Sequence, residues 1–331
     1  MMNMLFKIML FLGLSSAMGS CSGRYRETVP ENAGREKTVD VPVFNADSAY
    51  VYVQRQVDFG CRVPNTPAHE AAASFLEKEL TRHGAEVLVQ SARITAYDGT
   101  VLNAKIIICS FSPEKTKRVL LFAHWDSRPY ADNDADEANH RKPILGANDG
   151  ASGVGVLLEI ARLLGARLPD TGVDIIFFDA EDYGQPYFSS ASDSGNSWAL
   201  GTQYWVSHPH KPGYRARYGI LLDMVGGRDA VFAREGYSRH YAKAVGDKVW
   251  AAARKLGYGN RFADVQGGYV TDDHVYVNQM GIPSIDIIQY DPRTESGFCP
   301  QWHTLDDTME HIDKETLKAV GQTVLEIIYN E

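Results

Sequence analysis

The sequence predicts an α/β fold, a three-layer sandwich with a mostly parallel, doubly wound sheet between two layers of helices. Two observations support this fold class. Short, continuous apolar runs recur along the chain and suit strands that are buried on both faces. Stretches with a helical pattern separate these runs, and such alternation favours parallel strands. Because no internal repeat or linker-like break follows residue 42, we expect one α/β domain over residues 43–331.

The elements follow in chain order. An amphipathic helix is predicted over residues 68–84. The predicted strands are residues 87–94, 101–109, 119–123, 174–179, 218–222 and 285–288. Three further helices are predicted over residues 151–168, 238–256 and 313–329.

The N-terminus has the features of an export signal. Lys7 precedes an apolar run over residues 8–14 that is too short to span a membrane. The segment ends Met18-Gly19-Ser20-Cys21, which resembles a bacterial lipobox with Cys21 as the acylated residue. We therefore expect a signal peptide over residues 1–20. Residues 21–42 are polar and without periodicity, which predicts a lipidated, flexible tether.

These features predict an exported bacterial lipoprotein on the periplasmic face of the inner or the outer membrane. The alternative is ordinary signal cleavage, in which Cys21 carries no lipid. Export permits disulfides, but Cys61, Cys109 and Cys299 cannot all pair, and their connectivity stays open.

Composition excludes some function classes. The formal net charge of −9 gives no support to a phosphate-binding or nucleic-acid-binding role. The chain has no Cys-x-x-Cys motif and no Cys/His cluster, so a structural zinc site built from thiolates is also excluded.

Reactive side chains follow directly after three of the apolar runs. His124-Trp125-Asp126, Glu181-Asp182 and Asp223 each come at the end of a predicted strand. In open α/β sheets, ligands bind at the carboxyl ends of the strands. Each residue also has an ordinary structural explanation: Asp149 before Gly150 could cap a helix, and Glu181-Asp182 could be a solvated pair. Their coincidence favours a cation, since adjacent carboxylates are otherwise costly, and Asp and His ligands suit catalytic zinc.

These residues also carry a resemblance to a known family. The segments Asn148–Gly153, Glu181-Asp182, Asp223 and His303-Thr304 occur in the order found in zinc-dependent aminopeptidases, and His124-x-Asp126 fits the same pattern. The resemblance covers about residues 45–331 and implies a zinc exopeptidase-like fold.

Within that family the chain is most similar to the animal-type glutaminyl-peptide cyclotransferases. Three segments carry this similarity: Phe178-Asp179-Ala180-Glu181-Asp182, Asp272-Asp273-His274 and Trp302-His303-Thr304-Leu305-Asp306-Asp307. The resemblance implies an acyltransferase that cyclises the N-terminal glutamine of peptides and proteins to pyroglutamate and releases ammonia. Its partners would be these substrates and, through the lipid anchor, the membrane, and we expect the chain to act as a monomer.

The resemblance also implies the roles of individual residues. One Zn²⁺ per chain would be bound by Asp149, Asp182 and His303, leaving one coordination position open. The implied catalytic residues are Glu181, as the proton shuttle, with Asp223 and Asp272, and Trp302 would wall the substrate pocket. The chain departs from the animal enzymes at Asp182, where they have Glu. It also departs in the loop over residues 183–198, so no pocket aromatic is assigned there.

Two other functions remain open. A two-zinc aminopeptidase would use His124 and Asp223 to bind a second ion, and the sequence contains every residue it needs. In the cyclase hypothesis Asp223 instead shares a proton with Asp272, and His124 is a structural neighbour. A non-catalytic surface lipoprotein that binds peptides is disfavoured by Glu181, because binding alone needs no proton shuttle.

The lipobox resemblance yields a first prediction. The mature chain should begin at a lipidated Cys21, and Cys21→Ser should release the protein from the membrane fraction because the acyl chains supply the anchoring. Mass spectrometry of the mature N-terminus checks this. An unmodified Cys21, or a mature chain that starts elsewhere, would refute the prediction.

Overall fold

Six strands form the central sheet of the computed structural model, which describes residues 39–191, 196–294 and 296–331. The sheet order is β1-β2-β4-β3-β5-β8. Its strands are β1 (Glu86–Thr95), β2 (Val101–Phe111), β3 (Arg118–His124), β4 (Gly172–Phe178), β5 (Gly219–Asp223) and β8 (Ser284–Ile288). Strands β4, β3, β5 and β8 are parallel, whereas β1 pairs antiparallel with β2 and β2 with β4. The predicted mostly parallel α/β sheet is therefore confirmed.

Helices cover both faces of this sheet. They are α1 (Ala46–Val57), α2 (Pro67–Arg82), α3 (Ala151–Ala166), α4 (Leu200–Ser207), α5 (Gly236–Lys255), α6 (Asp273–Gln279) and α7 (Lys314–Tyr329). Two consecutive residues of β3 show the two faces of the sheet. Leu121 packs in the core that includes α1, α3 and α7, and Leu120 packs in the core that includes α4 and α6. The central strands are buried on both faces, as the apolar runs predict.

The edge of the sheet departs from the prediction. Strand β1 is largely exposed or half-buried. Among the described residues it pairs with β2 alone, and helices α2 and α4 cover it in part. The short parallel pair β6 (Phe232–Arg234) and β7 (Phe262–Gln266) was not predicted, nor were helices α1, α4 and α6. Two of these helices have eight residues or fewer, too few to show a helical period in the sequence.

The compact unit spans Val39–Glu331, four residues more than the predicted domain. Three of these four residues contact the fold: Pro42 O accepts a hydrogen bond from Gln322 Nε2 at 3.1 Å, Asp40 pairs with Arg167, and Val41 packs against the main core. The predicted signal peptide, Cys21 and the tether up to residue 38 lie outside the described residues.

Two further features concern membranes and cysteines. Across residues 39–191, 196–294 and 296–331, no helix is long and apolar enough to cross a bilayer.

Cys61, Cys109 and Cys299 are free thiols, so the disulfide question that the sequence left open is answered for this part of the chain.

Candidate active site

The carboxyl ends of the parallel strands meet at one edge of the sheet, and the predicted site residues lie there. His124 ends β3, Asp223 ends β5, and Glu181-Asp182 follow β4 after two residues. Asp272 is the residue before α6, and its side chain accepts a hydrogen bond from Asp273 N. The structure thus brings every predicted side chain of the site to one cavity or its floor.

Asp149, Asp182 and His303 form one compact cluster. One ligand atom from each lies within 4.8 Å of the other two, and all three residues are buried. His303 Nε2 is 3.5 Å from Asp149 Oδ2 and 3.4 Å from Asp182 Oδ1. Neither carboxylate oxygen of Asp182 has a hydrogen-bond partner among the described residues. A buried carboxylate without hydrogen bonds is costly, so this oxygen and nitrogen donor set fits a zinc ion.

The pKa values of these groups agree with a cation site. Burial, with the neighbouring Asp149, raises the pKa of the Asp182 carboxyl well above its usual range. Burial, with the positive charge of Arg128, lowers the pKa of His303 to about 3. The imidazole is therefore neutral, which is the form that binds a metal, and the Asp182 carboxylate must be accompanied by a proton or a cation.

Asp126 fixes the turn that carries two site residues. Its Oδ1 accepts a hydrogen bond from Glu181 N and its Oδ2 from Asp182 N, both at 3.1 Å. Ala180, just before them, has a positive φ of 55°, a conformation that costs energy for a residue with a side chain. The two hydrogen bonds to Asp126 stabilise this turn, which turns both carboxylates away from the path of β4.

Asp307 plays the equivalent part for Asp149. It accepts hydrogen bonds from Asn148 N at 2.7 Å and from Asp149 N at 3.0 Å. The next residue is Gly150, with φ of 90°, and a Cβ there would lie 2.6 Å from the Asp126 carbonyl oxygen. Only glycine permits this approach. The Asp306-Asp307 segment carried the sequence resemblance, but its role as a backbone acceptor was not predicted.

A second cluster shares Asp149 with the first. His124 Nε2 lies 3.1 Å from Asp149 Oδ1 and 3.2 Å from Asp223 Oδ1, and these three residues could also hold a metal ion. The predicted hydrogen bond between Asp223 and Asp272 is wrong: within the described residues Asp223 is bonded to His124, and Asp272 Oδ1 to a backbone amide. His124 is the nearer partner because β3 and β5 are adjacent strands.

Glu181 lies in a strongly acidic environment. Burial, with the neighbouring Asp272, raises the pKa of Glu181 well above its usual range. Burial also raises the pKa of Asp223 to about 7, against the lowering effect of its bond to His124. Asp272 Oδ2 is buried and has no hydrogen-bond partner among the described residues. Asp223 can therefore gain and lose a proton near neutral pH, and Asp272 can accept a hydrogen bond from a ligand.

The cavity above these residues has a volume of about 300 Å³. Trp302, the predicted wall of the substrate pocket, lines this cavity and stacks on Phe298 with ring centroids 4.2 Å apart. Trp198 also lines the cavity and stacks on His303, with ring centroids 5.9 Å apart and the two rings nearly parallel. Trp198 was not predicted, because its loop shares no motif with the animal enzymes. The only signal in the sequence is an aromatic residue at the end of a polar loop.

The comparisons with known proteins identify the family. The family model described as Peptidase family M28 matches residues 106–328, more than half of the chain. The chain therefore belongs to peptidase family M28, whose fold is the zinc exopeptidase-like α/β sandwich seen here.

Individual relatives carry two enzyme names. The solved structure of the Tannerella forsythia glutaminyl cyclase is 61% identical, covers 88% of this chain and 100% of that chain, and has a TM-score of 0.86. The glutaminyl-peptide cyclotransferase of Bos taurus is 25% identical over 79% of this chain and 76% of its own length. Aminopeptidase YwaD of Bacillus subtilis is 32% identical over 64% of this chain, but the match spans only 40% of YwaD.

The Asp149/Asp182/His303 cluster yields a second prediction. His303→Ala should weaken zinc binding by more than the roughly 10–100-fold that follows loss of a residue beside a ligand, because it removes a ligand itself. Zinc content after dialysis against a chelator measures this. His208→Ala, at an exposed histidine just after α4, is the matched control and should keep wild-type zinc content. Wild-type zinc content in the His303 variant would contradict the assignment.

Proposed function

We propose that this chain cyclises the N-terminal glutamine of peptides and proteins to pyroglutamate and releases ammonia. One observation carries the proposal: Glu181, a carboxyl group able to transfer protons, faces the same cavity as the Asp149/Asp182/His303 cluster and as Asp272. The high identity to a solved glutaminyl cyclase over the whole of that chain supports it.

The cavity suits one substrate side chain. Its volume of about 300 Å³ is at the lower end for ligand sites, and aromatic rings form much of its wall. Trp302 and Phe298 form one stacked side of this wall, and Trp198 forms another. Rings with few rotatable bonds can hold a glutamine side chain folded back toward its own amine, and such preorganisation contributes strongly to an intramolecular reaction.

The proposed reaction needs one new bond. The α-amine nitrogen bonds to the side-chain carboxamide carbon, the bond from that carbon to the amide nitrogen breaks, and the proton lost by the amine leaves with ammonia. A zinc ion held by Asp149, Asp182 and His303 would polarise the carboxamide carbonyl. We propose one such ion per chain.

Glu181 moves the proton in this proposal. Its raised pKa makes it a stronger base than an ordinary carboxylate, so it takes a proton from the α-amine and returns it to the leaving nitrogen. Asp272 orients the amine by accepting a hydrogen bond on its unpartnered Oδ2. Asp223 holds His124 and supplies further negative charge toward the ammonium.

A two-zinc aminopeptidase is the second candidate. The cluster of His124, Asp149 and Asp223 favours it, because these residues lie close enough to hold an ion beside the first one. Peptide hydrolysis needs an activated water, which a pair of metal ions can supply, whereas cyclisation uses the amine of the substrate itself.

We also propose a location and an assembly state for the chain. The lipobox resemblance at Cys21 supports an exported lipoprotein that is anchored at the periplasmic face of a membrane. The anchor and the polar tether would hold the domain near peptides in that compartment, acting as a monomer.

The role of Glu181 yields a third prediction. Glu181→Gln should keep zinc and the fold but lower kcat by roughly 10²–10⁴-fold, because the amide cannot transfer the proton. Turnover of a glutaminyl peptide by the zinc-loaded variant measures this. Glu77→Gln, at an exposed position on α2, is the control and should leave kcat unchanged. A near-normal rate in the Glu181 variant would remove this residue from the mechanism.

A fourth prediction separates the cyclase from the aminopeptidase. The wild type should contain one zinc per chain and act on N-terminal glutamine but not on N-terminal leucine. His124→Ala should leave zinc content unchanged in the cyclase, whereas in the two-zinc enzyme it would remove about half of the metal. Elemental analysis and two peptide substrates give both readings. Two tightly bound zinc ions, together with release of leucine, would establish the aminopeptidase instead.

A further inference from the structure

We propose that Arg128 and Asp132 form a neutral charge pair that positions two of the three metal-holding residues, His303 and Asp182, together with the pocket wall at Trp198. Both residues of the pair are buried. The inference depends on a metal ion in the cluster, but not on which peptide bond or amide the enzyme acts upon.

The pair itself is rigid. Arg128 Nε donates to Asp132 Oδ1 at 2.7 Å, and Arg128 Nη2 donates to Asp132 Oδ2 at 2.6 Å. Two parallel, charge-assisted hydrogen bonds fix the planes of both groups, which a lysine at the same position could not do. The two residues are four positions apart in the loop that follows β3.

Asp132 faces the ring nitrogen of His303 that points away from the other metal-holding residues. Asp132 Oδ1 is 3.6 Å from His303 Nδ1, whereas Nε2 of the same ring faces Asp149 and Asp182. At that distance Asp132 acts on the ring as a nearby negative charge rather than through a hydrogen bond. A negative charge favours the proton on Nδ1 and leaves the lone pair of Nε2 free for a metal ion.

Arg128 reaches the other metal-holding residue and the wall. Its Nη1 donates to the Asp182 carbonyl oxygen at 3.1 Å and to the Gly184 carbonyl oxygen at 3.4 Å, and it lies 3.6 Å from Asp182 Oδ1. Its guanidinium lies over the Trp198 ring, 4.6 Å from the centroid. Trp198 also packs on Gly184, where a Cβ would come within 2.3 Å of the indole. One side chain therefore holds both ends of the loop over residues 183–198.

The zinc affinity of variants shows whether Arg128 and Asp132 act through their charges or by positioning the metal-holding residues. Asp132→Asn leaves the Arg128 charge uncompensated beside the cluster, so both effects weaken zinc binding. Arg128→Met leaves the negative charge of Asp132 uncompensated, and charge alone would then tighten zinc binding. If the pair acts by positioning, Arg128→Met also weakens binding, because Asp132 and the Asp182 backbone lose their common anchor.

The experiment measures the zinc dissociation constant of metal-free protein by competition with a chromophoric chelator. We expect both single variants to bind zinc roughly 10–100-fold more weakly than the wild type. The double variant should bind no more weakly than the worse single variant, because the two residues act as one unit. At saturating zinc, Asp132→Asn should recover most of its kcat, whereas Arg128→Met should keep a raised KM through the displaced Trp198.

Asp174→Asn is the matched control, since Asp174 forms a buried bidentate pair with Arg118 at the opposite end of the sheet. It should lower the melting temperature without changing the zinc dissociation constant. Tighter or unchanged zinc binding in Arg128→Met would overturn the positioning role. Unchanged binding in the near-isosteric Asp132→Asn would overturn it even if Arg128→Met does not fold. These readings are independent of whether the substrate is a glutaminyl or a leucyl peptide.

Discussion

The excess of buried negative charge at the carboxyl end of the sheet is the constraint on which the rest of this structure depends. Parallel strands bring the carboxylates of Asp149, Asp182 and Asp223 together, with Glu181 and Asp272 beside them. Burial raises the pKa of several of these groups, so they hold protons or a cation rather than all being ionised. The surrounding structure can compensate this charge in three ways: through a cation held by the Asp149/Asp182/His303 cluster, through shared backbone amides and through the buried side chains of Arg62 and Arg128.

The backbone amides that compensate the charge also set the geometry of the site. Asp126 and Asp307 each accept two consecutive backbone N–H groups, Asp126 from residues just after β4 and Asp307 from residues just before α3. Positive φ values occur at Ala180, Met224 and His303, each next to a residue of the site or itself one. Such conformations cost about 1–3 kcal/mol each for residues with side chains, and they persist only where other contacts determine them. The site therefore depends on hydrogen bonds to the backbone as much as on its reactive groups.

The sequence predicted the parallel core, and it placed the candidate metal ligands at strand ends and motifs that the structure brings together, because both leave local patterns. An apolar run that ends in His or a carboxylate predicts both a strand and a site residue, as at β3 and His124. The contact of Asp223 with His124 rather than Asp272 was not predictable, because it depends on which strands are neighbours. Trp198 was missed for a similar reason: its packing on Arg128 arises from a loop without periodicity or motif.

The position of Asp149 between two clusters explains why one fold can support two chemistries. Its Oδ2 faces His303 and its Oδ1 faces His124, so the same carboxylate can serve one ion or bridge two. A second ion could bind only if the hydrogen bond between His124 and Asp223 were replaced by bonds from both residues to the metal. Burial holds the pKa of Asp223 at about 7, so near neutral pH a proton competes with a second cation at this carboxylate. With a single ion bound, the amine of the substrate, rather than a metal-activated water, would be the nucleophile.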